Sequence, residues 1–335
     1  MDSKRQLQTS ISAADQGSPL IEWLSRRFLY LAEDAWIREI QSGRVLVNSR
    51  PAVPEKVLER GDLVSFEPEG IPEPEVNRDV RIIYESDDYL VINKPPNLPC
   101  HPGGIYRAHT LWTLLRERYE QPSFISRLDR ETSGLLAVAL SSAARKALDP
   151  QTGKCDQRKE YLVLVHGDAP DTIEADGWIS PDPDSPVRKK KRFTYSMPER
   201  SRAQSCSTRF IKLAGDGELS LLCATLGTGR THQIRATLCS LGFPVVGDKI
   251  YGIDDTLFIR LAEGMLSEAD RRRLLIESQA LHSARLELSF SALSPLLPGE
   301  SRVYYAPLPP SYAALVRERL AIDLSDPDRL RALWD

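Results

Sequence analysis

An α+β protein of two domains is the fold class that this sequence predicts, on three observations. The chain has 335 residues, more than one hydrophobic core usually serves. Strand-like and helix-like segments are mixed without the regular βαβ rhythm of a doubly wound sheet. A stretch of prolines and acidic residues at 69–79 carries no apolar period and reads as a linker between a short amino-terminal part and the rest.

Taken in order, residues 1–17 are polar and mixed in charge. They lack the basic and apolar stretches of a secretion signal and are expected to be a disordered lead-in. Residues 18–68 read as a compact module. Apolar Leu20, Ile21, Leu24, Phe28 and Leu31 recur at helical spacing. A second helix is expected over 33–41, stopping at Ser42-Gly43. Strands are expected at 45–48 and 63–66, with a turn at Asn48-Ser49-Arg50-Pro51 after the first.

Beyond the linker, 80–310 reads as a larger domain. Strands are expected over 80–84, 89–93, 135–140, 161–165, 207–211, 219–226 and 285–290. Helices are expected over 110–119, with Thr110 as N-cap, over 231–241, ended by Gly242, and over 267–280. Residues 311–335 are expected to form a helical tail. No repeat of solenoid length is present.

Composition narrows the function classes. Net charge is −3, and a sequence-blind nucleic-acid binder is usually far more basic, so any RNA binding has to come from local basic surface. No apolar run reaches about 18 residues, which excludes a membrane-spanning helix. The five cysteines are odd in number and form no CxxC pair, which argues for a reducing, cytoplasmic home. The histidines show no metal spacing, and no metal is assigned. Nothing points to oligomerisation, so a monomer is expected.

Three segments carry candidate chemistry. In Ser126-Arg127-Leu128-Asp129-Arg130-Glu131-Thr132-Ser133-Gly134 a carboxylate lies between two arginines at the lip of an apolar strand. That suits an active-site aspartate, and it equally suits a loop aspartate in surface ion pairs. In Gly227-Thr228-Gly229-Arg230-Thr231-His232-Gln233-Ile234-Arg235 a strand turns into a helix. Amides at such a start favour anions, and Arg230 can hold a carboxylate or phosphate; an ordinary strand–helix turn remains open. Tyr161 begins an apolar strand and reads either as a stacking platform for a base or as a core tyrosine. The run Arg188-Lys189-Lys190-Lys191-Arg192 either follows a phosphate backbone or is a solvated loop.

Together these segments resemble the RluA-type family of RNA pseudouridine synthases. RLDRETSGLL at 127–136, GTGRTHQIR at 227–235, LGFPVVGDKIYG at 241–252, QALHSARLELSF at 279–290 and VINKPPNLPCHPG at 91–103 are similar to family blocks and occur in the family's order. Residues 19–66 resemble the small RNA-binding domain of ribosomal protein S-four, with Gly43-Arg44-Val45-Leu46-Val47-Asn48 matching its strand. The resemblance implies a mixed, largely antiparallel central sheet with flanking helices, and an isomerase that needs no cofactor. It implies Asp129 as catalytic carboxylate, Arg127 as an aid to entry of the flipped nucleotide, and Tyr161 as the stacking ring. It also implies Arg230 as partner of the aspartate, with Gln233 and Ile234 on the pocket wall. The implied partner is structured RNA, with ribosomal RNA ahead of transfer RNA. Arg38, Arg44 and 188–192 are the basic surface candidates.

The chain departs from the family at Ser126 and Thr237, where histidine is frequent; both positions are expected to affect substrate choice. Pro150 and Gly153 interrupt what is often a longer helix. Two rival readings stand beside the enzyme: an RNA-binding or ribosome-assembly protein with vestigial catalysis, and a glycosidase, which needs a second carboxylate such as Glu131 or Asp248.

Overall fold

The computed structural model describes residues 7–28, 30–67, 73–199, 202–254 and 256–334. Residues 1–6 of the expected lead-in and 69–72 of the expected linker lie outside the described residues. The chain forms two units, one drawn from 1–74 with 258–266 and the other from 75–257 with 267–335.

The smaller unit contains β1 (Leu7–Ser10), α1 (Leu20–Arg27), α2 (Glu33–Gln41), β2 (Val45–Val47), β3 (Arg50–Pro51) and β4 (Leu63–Phe66). Its strands are ordered β1-β4-β2-β3. The expectation of disorder through residue 17 is corrected here. Leu7 pairs with Phe66 and Ser10 with Leu63, and Ile11 is buried. A four-residue, half-buried strand among polar residues leaves little apolar period to read, but it covers the outer edge of β4. Helix α1 buries Leu20, Trp23 and Leu24, the i, i+3, i+4 stripe of an amphipathic helix. These meet Trp36, Ile40, Val45 and Phe66 in one core, where the Trp36 and Phe66 rings pack edge to face at 5.0 Å.

The larger unit begins with β5 (Arg81–Glu85), β6 (Tyr89–Lys94), α3 (Leu111–Arg116), β7 (Ser123–Phe124), β8 (Ser133–Ala139) and α4 (Ser142–Leu148). It continues with β9 (Cys155–His166), β10 (Thr172–Pro181), β11 (Lys191–Thr194), β12 (Gln204–Gly215), β13 (Leu219–Leu226) and α5 (Gln233–Ser240). The last elements are α6 (Thr256–Ala262), which starts in this unit, α7 (Glu268–Leu274), β14 (Leu281–Phe290), β15 (Ser301–Tyr305), α8 (Pro310–Leu320) and α9 (Pro327–Arg331).

Among the described residues one sheet of eleven strands runs β11-β10-β12-β13-β9-β14-β8-β6-β5, with β15 on β14 and β7 on β8. Only β8 and β14 pair in parallel, His282 opposite Ser133 and Ser283 opposite Gly134. The sheet is thus mixed and largely antiparallel, as expected. Its one parallel junction depends on Gly134, whose φ is +110° and whose missing Cβ would strike the Ser283 carbonyl.

Helices α8 and α9 bury Tyr312, Ala313, Val316 and Leu330 against Leu162, Leu164 and Leu221 of β9 and β13. The expected separate tail at 311–335 is therefore part of the larger unit's core, because its apolar positions form a stripe that covers the sheet. The helix expected over 267–280 also needs correction. It ends at Leu274, Leu275 takes φ +66°, and β14 starts at Leu281 rather than 285.

Candidate active site

Asp129 sits in the turn that leads into β8. Three successive carbonyls of that turn are each held. The Cys100 thiol donates to Leu128 O at 3.2 Å, Thr132 N–H to Asp129 O at 3.2 Å, and Leu98 N–H to Arg130 O at 3.0 Å. Lys94 also donates to Arg130 O, at 3.2 Å, and to the carbonyls of Pro95 at 2.8 Å and Leu98 at 2.9 Å. The lysine is fully buried. Its three ammonium protons meet three carbonyl oxygens, so dipoles satisfy the charge, and burial pulls its pKa down to about 8.

One oxygen of Asp129 is committed. Arg235 Nη1 donates to Oδ2 at 2.7 Å. The same guanidinium donates through Nε to Asp248 Oδ2 at 2.6 Å and through Nη2 to Oδ1 at 2.9 Å, and it lies 4.8 Å from the centre of the Tyr251 ring. Asp248 Oδ1 also accepts the amides of Ile250 and Tyr251, at 2.9 and 3.0 Å. Burial would raise the Asp129 carboxyl, but the Arg235 charge overrides it and holds the group below the usual carboxylate range. The side chain of the ionised Asp129 stays 30% exposed, and its other oxygen, Oδ1, has His232 Nε2 at 3.7 Å.

Tyr161, on β9, is 6% exposed. Burial, with the Asp129 charge adding to it, pushes its hydroxyl up to about 12, so the ring stays neutral near the carboxylate. Ile234 is 4% exposed in α5. Gln233 is buried and fully bonded. Its Nε2 donates to Ser207 O at 2.9 Å and Thr208 Oγ1 at 2.8 Å, and its Oε1 accepts from Thr228 Oγ1 and Arg230 N–H, both at 2.9 Å. It pins the 227–230 turn to β12.

The expected pairing of Arg230 with the aspartate is corrected to Arg235. Arg230 lies in the turn before α5 and donates from Nε to Ser205 O at 3.0 Å. Arg235 is within the helix, 5% exposed, on the face toward β8. Arg127 is exposed, close enough to His101 to help burial lower that imidazole. Ser126 accepts from Lys159 Nζ at 2.7 Å. Thr237 is buried at 0% exposure, so it lies away from the surface where it could affect substrate choice by touching RNA.

Among the basic surface candidates Arg38, Arg44 and Arg192 are ion-paired. Arg38 bonds Asp34 at 2.7 Å, and Arg44 grips Glu39 with two bonds of 2.6 and 3.0 Å. Arg192 pairs with Asp182 and Asp184. Arg188 is exposed, and Lys190 and Lys191 are half-buried. Lys189 is exposed at the surface, yet desolvation by the protein around its ammonium, with the Arg235 and Arg130 charges, pulls it down to about 8. Through the same packing the Lys191 amide donates to the Tyr251 hydroxyl at 2.9 Å, which ties this run to the Asp129 site. Lys94, Asp248 and Tyr251 complete the site without having been singled out as site residues. Their signal in the sequence was their place inside the 91–103 and 241–252 blocks.

Comparison with known proteins agrees with this geometry. A family model described as RNA pseudouridylate synthase matches residues 88–240. An uncharacterized RNA pseudouridine synthase from Synechocystis is 30% identical over 236 residues, covering 70% of this chain and 79% of that protein. The ribosomal large subunit pseudouridine synthase D of Nitrosomonas europaea is 32% identical over 244 residues, 71% of this chain and 64% of that protein. The mitochondrial tRNA pseudouridine(32) synthase of Saccharomyces cerevisiae is 31% identical over 241 residues, 70% of this chain and 50% of that protein. The solved structure of human RNA pseudouridylate synthase domain containing 1 superposes with a TM-score of 0.52 at 25% identity, covering 72% of this chain and 90% of that one.

Proposed function

The chain belongs to the RNA pseudouridylate synthase family and isomerises uridine to pseudouridine in RNA, and from that premise we propose that Asp129 is the carboxylate that does the chemistry. The observation that carries this reading is the division of labour on Asp129. Arg235 holds Oδ2 in a turn whose backbone is bonded at three successive carbonyls, which leaves the carboxylate ionised and Oδ1 outside the Arg235 bond.

The reaction breaks the bond from the sugar C1′ to N1 of the base and forms one from C1′ to C5. The C5 proton is lost and N1 regains one, so the atoms balance without a cofactor. Asp129 acts on the sugar, by attack at C1′ or by removing a proton from the ring; the geometry suits either. The uridine has to leave its stack, at a cost of a few kcal/mol. Stacking on Tyr161 offsets this by about 1–3 kcal/mol.

The rival glycosidase chemistry lacks its second acid. Asp248 is saturated by Arg235 and two amides. Glu131 is held by Arg130 at 2.8 Å and Lys249 at 2.8 Å. Vestigial catalysis is disfavoured by a carboxylate kept ionised against its burial. For the substrate we favour structured ribosomal RNA, with transfer RNA second; relatives named for each are matched over 71% and 70% of this chain. Arg127 aids entry of the nucleotide, Ile234 forms the pocket wall, and Lys189 with Arg188 supplies phosphate contacts. The smaller unit binds RNA. Among the described residues no helix is long and apolar enough to cross a membrane, and all five cysteines are free; a monomer acting in a reducing compartment is part of the proposal.

The test maps pseudouridine across ribosomal and transfer RNA in cells lacking the gene, rescued with wild type or Asp129→Asn. A site restored by wild type alone, with the variant's RNA affinity within about threefold, is expected. Turnover by Asp129→Asn at the wild-type rate would sink the assignment.

A further inference from the structure

Resting on the assignment of Asp129, we propose that His232 is a positioning residue whose Nε2–H holds Asp129 Oδ1 in its reactive orientation once the uridine is bound. The tautomer follows from counting donors. The Tyr251 side chain is fully buried, and its hydroxyl accepts the Lys191 N–H at 2.9 Å. A phenol has one proton to give. Among the described residues the remaining polar atom within hydrogen-bond distance is Nδ1 of His232, at 2.8 Å. A buried hydroxyl left without an acceptor is costly, so Tyr251 donates to Nδ1.

The imidazole is neutral at physiological pH, since burial pulls it down to about 4 against the opposing pull of Asp129. Arg235, Asp248 and Lys189 are the other charges that face it. With Nδ1 accepting, Nε2 carries the proton, 3.7 Å from Asp129 Oδ1. That is too long for a hydrogen bond in the unliganded protein, and it is within the small closure that tightens such contacts when substrate binds.

The backbone supplies an independent observation. His232 is the N-cap of α5 in the left-handed region, at φ 60°. Histidine is one of the residues that tolerate that conformation, and glycine or asparagine take it with less strain, so the backbone permits a histidine there without requiring one.

That contrast sets the experiment. In His232→Gln the amide nitrogen reaches the place of imidazole Nε2; in His232→Asn it reaches that of Nδ1 and falls short. Single-turnover rates and RNA affinity are measured for His232→Gln, His232→Asn and His232→Gly, beside Asp129→Asn. Glutamine is expected within about threefold of wild type, and asparagine and glycine about tenfold or more slower, with RNA affinity unchanged. A purely conformational cap reverses this order, and asparagine or glycine matching or exceeding glutamine overturns the proposal. So does a ¹⁵N spectrum showing His232 protonated at Nδ1. If Asp129→Asn keeps its activity, the fault lies instead with the assignment of Asp129.

Discussion

Arg235 and Asp129 share one hydrogen bond of 2.7 Å although 106 residues separate them in sequence. The arginine's other donors go to Asp248, so a single guanidinium orients both carboxylates. Lysine offers a point charge where the fork is needed. Arg235→Lys should leave Asp248 buried and poorly paired, at a cost of about 3–5 kcal/mol. That corresponds to a fall in Tm of roughly 10 °C for a unit of this size. The single-turnover rate should drop about 100-fold. Thermal unfolding and rapid-quench assays on the same preparation check both; a variant as stable and as fast as wild type would refute the bridging role.

Acid should weaken the fold through the same cluster. Burial opposes ionisation of Asp129 and Asp248, and Arg235 outweighs it, so both folded carboxyls titrate below their ordinary value. A depressed folded pKa means stability that is present above the unfolded pKa, about 3.9, and lost as pH falls through the folded value. Denaturation curves between pH 7 and pH 3 should therefore show stability falling most steeply below about pH 4. In Asp248→Asn, stability at neutral pH should be lower and the acid slope shallower. An unchanged slope would show that other carboxylates govern acid unfolding.

Lys189 should give RNA binding an alkaline limb. Desolvation by the surrounding protein, joined by Arg235 and Arg130, pulls its ammonium down to about 8. It is charged below that value and neutral above it, so attraction to phosphate fades as pH rises through 8. RNA affinity is expected to weaken by about threefold between pH 7 and pH 9. Lys189→Arg, which keeps its charge, should flatten that profile. Fluorescence titration at constant ionic strength makes the comparison; an Arg variant with the wild-type pH dependence would assign the limb to another group.

Gly134 should tolerate no side chain. Its φ of +110° and the Ser283 carbonyl in the place of a Cβ combine backbone strain with a clash against main chain. Gly134→Ala is expected to destabilise by about 3 kcal/mol or more. Urea unfolding should show this as a lower midpoint with an unchanged slope.

How far the sequence revealed these features depended on whether each was local. Strand β13 matches the 219–226 expectation because its residues form an apolar run broken only by Ser220 and Thr225. Helix α3 begins at the Thr110 cap, since Thr110 Oγ1 accepts the Thr113 amide at 3.2 Å. β1 was hidden, because four residues with alternate burial carry almost no period. Choosing between Arg230 and Arg235 was beyond the motif. Both arginines flank His232-Gln233-Ile234, and only the direction of α5 turns the second toward Asp129. Asp248 had been weighed as a spatial neighbour, but its role as Arg235's anchor depends on a contact made through the fold. Tyr161 and Asp129 stood out through the family resemblance more than through their immediate surroundings.

The parallel junction of β8 with β14 also bears on how the protein comes to be active. Ser133 and His282, 149 residues apart, meet there through a hydrogen bond of 2.8 Å between Ser133 Oγ and His282 Nδ1, and His282 Nε2 meets Ala306 O at 2.9 Å. Strand β8 carries the Asp129 turn at its start, yet β14, which lies between it and β9, is one of the last strands to be synthesised. Contacts this distant along the chain form late, after long loops have closed. A growing chain that has already emerged through Asp129 and Tyr161 thus lacks β14, the strand that joins β8 to β9, and the two residues are not brought together by the sheet until that strand has emerged and docked.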